Sequence, residues 1–256
     1  YLCNLFASIG GGGMAEQSAF LRLENVSKTF PGVNALSGVG FDVRRGEVHA
    51  LIGENGAGKS TLIKVLTGVY QPDPGAVIEI EGQRVDRMTQ SELILFRQKH
   101  IGFIFQSFNL MPYYTALENV ALPLVFRGIN KSKRNKLAKD ALVSVGLETH
   151  MRHKPTQMSG GQQQRVAIAR ALVTDPRIIF ADEPTGNLDS KTSDEVMHMI
   201  TRIARERGKT LIMVTHDPNM AAFTDKAIHL LDGLITEIAV NNNPIGKEFG
   251  VAQTVS

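Results

Sequence analysis

Residues Gly53-Glu54-Asn55-Gly56-Ala57-Gly58-Lys59-Ser60 constrain this chain more than any other stretch. They match G-x-x-x-x-G-K-S/T, a phosphate-binding loop, and each position has a physical reason. Glycine lets the backbone turn tightly and approach a polyphosphate with no Cβ in the way. Successive N–H groups then point inward and surround the anion. Lys59 can reach the β- and γ-phosphates, and the Ser60 hydroxyl can ligate Mg2+. The flanks agree. Val48 to Ile52 is an apolar run that reads as a buried strand. Thr61 to Thr67 reads as a helix stopped by Gly68 as a left-handed cap. Strand, glycine loop and helix together place phosphates at a helix N-terminus, where the dipole and unpaired N–H groups favour negative charge. The loop predicts nucleotide binding in an α/β chain. It does not choose among kinases, GTPases, helicases and transport motors.

Bulk properties narrow the choice modestly. The 256 residues suit one large α/β domain or two small ones. A net charge of +3 reads as an ordinary solvated surface and gives no reason to expect a nucleic-acid partner. The single cysteine, Cys3, permits neither an internal disulfide nor a cysteine metal cluster, which suits a reducing compartment. No apolar run approaches the roughly 20 residues needed to cross a bilayer. A membrane role is therefore expected to run through a partner chain.

Along the chain, residues 1–19 read as a flexible extension, with Gly10 to Gly13 as a linker before Met14. Phe20 to Val26 alternates apolar and polar residues as a half-exposed strand does. A turn at Thr29 to Gly32 and a strand at Val39 to Val43 follow, and these short strands predict an antiparallel portion beside the nucleotide core. Phe30 reads either as a platform for an adenine ring or as a packing residue. His100 to Phe105 reads as a strand ending at Gln106, a polar group able to reach a metal or a water. The Pro-broken apolar segment from Ser107 to Tyr114 reads as a core insertion or a partner-facing patch. Residues 115–158 read as helical, with an apolar stripe at Leu137, Ala141, Leu142 and Val145. Residues 239–256 lose periodicity and read as a tail.

Three later stretches carry chemistry. Ser159-Gly160-Gly161-Gln162 has capping-box form. Its paired glycines lower helix propensity where a helix gains nothing from it, so the stretch reads as a second anion site. Ile178 to Glu183 reads as an apolar strand delivering two carboxylates at its end, Asp182 and Glu183. Adjacent strand residues face opposite ways, so the pair can share a site only if the chain turns there, as Pro184 suggests. Asp182 suits Mg2+, and Glu183 suits a general base beside the γ-phosphate. Asn187-Leu188-Asp189 precedes a helix over Ser190 to Arg207. His216 ends the strand Thr210 to Thr215 on the sheet edge where open α/β sheets bind ligands. Lys226 to Leu231 and Leu234 to Ile238 read as a terminal hairpin.

Taken in order, Gly53 to Ser60, Gln106, Ser159 to Gln162, Ile178 to Glu183, Asn187 to Asp189 and His216 resemble the ATP-binding-cassette ATPases over residues 20–238. The resemblance implies an α/β fold: a P-loop core, an antiparallel β subdomain and a helical signature subdomain near residues 107–172. It implies ATP and Mg2+ as cofactors. It also implies a head-to-tail dimer in which each ATP lies between one copy's phosphate loop and the other copy's Ser159-Gly160-Gly161-Gln162. By residue, Phe30 is expected to stack on adenine, where many relatives have Tyr. Gly53, Asn55, Gly56, Ala57, Gly58, Lys59, Ser60 and Thr61 are expected to hold the phosphates. Ser60 and Gln106 are expected to ligate Mg2+, with Asp182 holding it through water. Glu183 is expected to polarise the attacking water, His216 to contact the γ-phosphate, and Asp189 to tie the two copies' sites together. The segment after Gln106 is expected to receive an integral membrane subunit, placing the chain in the cytoplasm on the inner face of the membrane.

The two parts of the chain resemble different branches. Phe30 to Leu36, Gly53 to Gly58 and Leu66 to Tyr70 are similar to sugar-import ATPases, whereas Ile101 to Asn119 and Met158 to Asp189 are similar to the lipoprotein-release and macrolide-efflux group. The leading expectation is an ATP-hydrolysing transporter motor. A soluble cassette ATPase is the alternative, and those carry paired cassettes or long insertions. A small-molecule kinase would leave Ser159 to Gln162 without a role.

Overall fold

The computed structural model of the protein describes residues 19–249. The extension expected over 1–19 lies outside these residues save Ala19. Among the described residues, ten strands and six α-helices form two sheets and their covering layers. The strands are β1 (Leu21–Phe30), β2 (Val33–Val43), β3 (Val48–Ile52), β4 (Val77–Ile80), β5 (Gln83–Arg84), β6 (Ile101–Phe105), β7 (Ile178–Asp182), β8 (Thr210–Thr215), β9 (Lys226–Leu231) and β10 (Leu234–Val240). The helices are α1 (Lys59–Leu66), α2 (Gln90–His100), α3 (Ala116–Phe126), α4 (Lys131–Ser144), α5 (Gly160–Leu172) and α6 (Ser190–Glu206).

The central sheet has the order β10-β9-β3-β8-β7-β6, with parallel pairing from β9 through β6 and an antiparallel β10 at its edge. Its inner strands are buried along their whole length, as in β3 and β8, because both faces are covered. The period of two along a strand then sorts side chains between two cores. Ile178 and Phe180 join Leu51, Ile212 and Val214 on the side of α1, α2 and the antiparallel sheet β2-β1-β4-β5. Ile179 and Ala181 join Ala50, Leu211 and Met213 on the side of α3 to α6.

Several expectations change. α2 was not anticipated. Its apolar stripe is thin, with only Leu93, Phe96 and His100 buried and Leu95 exposed. Its start signal is nevertheless present, since Thr89 Oγ1 accepts from the Glu92 N–H and the Glu92 carboxylate accepts from the Thr89 N–H. His100 therefore closes a helix rather than opening β6. Residues 115–158 are not one helical stretch. Thr115 with Glu118 caps α3 and Asn130 caps α4, while residues 145–158 form a loop with two short 3₁₀ turns. β2 begins at Val33, six residues before the strand expected from Val39. Residue 239 does not start a tail. β10 runs to Val240, the Asn241 N–H reaches Asp225 O at 2.9 Å, and the Ile245 N–H reaches Ala222 O at 2.9 Å.

Candidate functional site

The C-terminal ends of β3, β7 and β8 meet at one sheet edge. There β3 runs through residues 53–58 into α1. Only glycine fits at two places: a Cβ at Gly53 would strike the Leu230 carbonyl, and one at Gly58 the Ala35 carbonyl. Gly58 also sits at φ 95°, a backbone that L residues avoid. Lys59 folds back over the loop, donating from Nζ to Gly53 O at 2.5 Å and to Glu54 O at 2.8 Å. Burial pushes its ammonium down from the usual lysine value, while the charges of Glu183 and Asp182 work the other way. Around it lies a cleft of about 280 Å3 lined by residues 54–61 together with Val33, Asn34, Ala35, Glu183 and Asp232.

Glu183 resolves the question of opposite faces. It takes φ 46°, so the chain turns immediately after β7, and its N–H is held by Val214 O at 2.9 Å. A left-handed backbone is uncommon for a non-glycine residue, and here it turns Glu183 off the line of β7. Its carboxylate reaches His216 Nδ1 at 3.0 Å, so the two residues predicted to act on the γ-phosphate are already partners. Asp182 is half-buried, and burial raises its carboxyl above the usual aspartate range, Glu183 adding to this and Lys64 and Lys59 opposing it. Ser60 and Asp182 line one further cavity, of about 330 Å3, walled by Ile63, Phe103 and Phe105.

Three predicted residues lie elsewhere. Gln106 rests over Gly186 and Asn187: its carbonyl accepts from Asn187 Nδ2 at 3.0 Å, and its side chain fills the space where a Gly186 Cβ would stand. Phe30 packs edge-on against Tyr70 at 5.3 Å between centroids and does not line the cleft. Asp189 caps α6, accepting from the Thr192 N–H at 3.0 Å and hydroxyl at 2.7 Å. Those bonds hold its carboxyl below the usual aspartate range. Val33, Asn34, Ala35 and Asp232 were missed. The resemblance over Phe30 to Leu36 and the turn at Asp232 gave them no role in the site, because β2 and the β9–β10 turn reach the loop only through tertiary packing.

Ser159-Gly160-Gly161-Gln162 starts α5 and does not line the Lys59 cleft. Its capping box is complete, with Gln162 N–H on Ser159 Oγ at 3.3 Å and Ser159 N–H on Gln162 Oε1 at 2.9 Å. A Cβ at Gly161 would come within 2.5 Å of Thr192 Cγ2. Buried Gln164 ties the same helix to the Pro184 carbonyl, one residue past Glu183. Beyond Gln106, Phe108 and Asn109 both take positive φ, and Arg170 holds both of their carbonyls. Buried Asn119 fixes the rest of that loop through Met111, Tyr114 and Thr115. Next to it lies a groove of about 330 Å3, apolar at Phe105, Leu122, Pro123 and Phe126. Among the described residues no helix is long and apolar enough to cross a membrane.

A glycine loop closed by its lysine, an acid pair at the neighbouring strand end and a histidine beside the second acid define a P-loop nucleotide hydrolase. Similarity fixes the family within that class. A model of the ABC transporter family matches residues 36–186. The lipoprotein-releasing system ATP-binding protein LolD of Bacteroides fragilis is 41% identical over 215 residues, covering 84% of this chain and 99% of that protein. An uncharacterized ABC transporter ATP-binding protein of Thermotoga maritima is 48% identical over 206 residues, covering 80% and 87%. Among solved structures, the ATP-binding cassette MJ0796, a dimer in a post-hydrolysis state bound to ADP and Pi, matches with TM-score 0.78 at 40% identity, covering 86% of this chain and 98% of that one. The chain belongs to the ABC transporter family and is an ATP-binding, ATP-hydrolysing subunit of it.

Proposed function

We propose that two copies of this chain meet head to tail around two Mg-ATP, hydrolyse them, and drive transport through a separate membrane subunit. The observation that carries this reading is the separation, within one chain, of the Lys59 cleft from the Ser159 helix start. Each is built for an anion, and each is only part of an enclosure. The cassette MJ0796, solved as a dimer, supports the pairing of two copies.

Phosphates enter the cleft against the loop N–H groups and Lys59, which exchanges its two carbonyl partners for phosphate oxygens. Ser60 and Asp182 offer a hydroxyl and a carboxylate, the hard oxygen donors that Mg2+ takes. The crowding of Asp182 against Glu183 favours a cation there. Gln106 joins them once it leaves Asn187. When bound, the ion supplies neutralisation of charge on the β- and γ-phosphates. Glu183 orients water for attack, and His216 donates from Nδ1 to that carboxylate; its Nε2 reaches the γ-phosphate only as an N–H, in the imidazolium. From the other copy, Ser159, Gly160, Gly161 and Gln162 bring the start of α5 to the same phosphate, with Asp189 nearby. Phe30 borders the base.

The apolar groove beside Gln106 and the exposed Tyr113 and Phe126 suit an amphipathic segment of an integral membrane subunit. That contact would hold the chain at the inner face of the membrane. The test of the catalytic reading is Glu183→Gln. Turnover should fall by about 10²- to 10⁴-fold while ATP binding persists, measured by phosphate release and nucleotide titration. Full turnover would refute the role.

A further inference from the structure

His150 stands outside every motif above, on the 3₁₀ turn Glu148–His150, and is half-buried. Its Nε2 lies 3.1 Å from Gln162 Nε2. Gln162 Oε1 is occupied by the Ser159 N–H, so the end of the amide facing His150 is the NH2 donor. Two donors cannot meet, so this pair bonds only with His150 Nε2 as the acceptor and the ring N–H on Nδ1. That atom lies 2.9 Å from Thr149 Oγ1, which accepts it. The result is a one-way chain: Ser159 N–H to Gln162 Oε1, Gln162 NH2 to His150 Nε2, and His150 Nδ1–H to Thr149 Oγ1. The His153 ring packs on His150 at 5.0 Å between centroids and holds the plane of the imidazole.

The sense of the Gln162 amide matters because it closes the capping box. With Oε1 toward Ser159, the amide accepts the Ser159 N–H; the other half of the box, the Gln162 backbone N–H on Ser159 Oγ, leaves the serine O–H as a donor. Turned over, the amide would set its NH2 against the Ser159 N–H and open the box. We infer that His150 is a positioning residue: it fixes the orientation of the Gln162 amide, and through it the Ser159 backbone at the start of α5 that is presented to the nucleotide held by a second copy of this chain. This inference rests on the two-copy reading of the site above.

The test compares His150→Leu, which has no acceptor, with His150→Gln, whose Oε1 can stand near the place of Nε2. His150→Leu should raise the protein concentration needed for half-maximal ATP turnover by about two- to tenfold, the worth of one neutral hydrogen bond. ATP affinity of the monomer should match the parent, showing that the fold and the Lys59 cleft are intact. His150→Gln should restore most of the loss. Parental behaviour of His150→Leu would overturn the inference, and so would a His150→Gln variant as impaired as His150→Leu. Ser159→Arg, measured alongside, separates the two levels. If it abolishes turnover while His150→Leu has no effect, only the role of His150 fails. If Ser159→Arg itself turns over normally, the two-copy reading fails and the inference with it.

Discussion

The two glycine-bearing helix starts, before α1 and before α5, differ in what they already hold. At α1 the glycines take left-handed or Cβ-intolerant backbone, and Lys59 folds into the loop, so the countercharge and most of the cavity lining come from one short stretch. At α5 the glycines serve packing as well as access: Gly161 lets Thr192 of α6 approach, and Ser159 and Gln162 satisfy each other. No lysine or arginine of this segment closes over it as Lys59 does over the first. One start is a phosphate site that can work within a single copy. The other is a preformed helix start that, in the proposed two-copy arrangement, becomes a site when a second copy brings the phosphate to it.

Changes at the two starts should therefore separate binding from turnover. The largest expected effect on binding is at the first. Lys59→Ala should weaken ATP binding by the monomer by roughly ten- to a hundredfold, the worth of a charge-assisted contact, as read by nucleotide titration; unchanged affinity would remove the contrast. At the second start, Gly161→Ala should push Thr192 aside and cost about 1–3 kcal/mol in a denaturant melt, as overpacking does. It should impair turnover and leave monomer ATP affinity near the parent value. A loss of that affinity would show that both starts serve one nucleotide in one copy.

A smaller change lies outside both. Glu47 sits between buried His49, 2.8 Å away, and Lys226 at 3.7 Å. Burial would raise its carboxyl, but the His49 hydrogen bond, the Arg44 N–H and the nearby positive charges outweigh that and hold it at about 2, against an ordinary 4.5. Because the folded-state value is the lower one, its contribution to stability is complete above about 4.5 and is lost as the pH falls toward 2. Glu47→Gln should be destabilised near neutral pH, and its gap from the parent should shrink on acidification while ATP binding stays put. A gap that holds constant with pH would contradict the assignment.

What could be read from the residues was local. Strand, glycine loop and helix around Lys59 are contiguous, so β3 and α1 follow from sequence, as do β7, β8 and the terminal hairpin, whose apolar runs are short and bounded by turn residues. α2 escaped because Ile94 and Leu95 face solvent and blur its stripe, leaving only the Thr89–Glu92 cap as a signal. The turn that brings Asp182 and Glu183 to one side was foreshadowed by Pro184, but the left-handed backbone at Glu183 is set by its bond to Val214 on the neighbouring strand. Gln106 on Asn187, Phe30 on Tyr70 and Asp232 in the cleft depend on contacts between segments distant in sequence or on side-chain packing. Spacing along one chain carries no record of them.

The most direct test is the mass in solution of Glu183→Gln with Mg-ATP, measured by analytical ultracentrifugation. A dimer should form with ATP, and adding Ser159→Arg to the same chain should return it to a monomer that still binds ATP. A Glu183→Gln protein that stays monomeric at saturating Mg-ATP, or a dimer indifferent to Ser159→Arg, would contradict a nucleotide shared between the two copies.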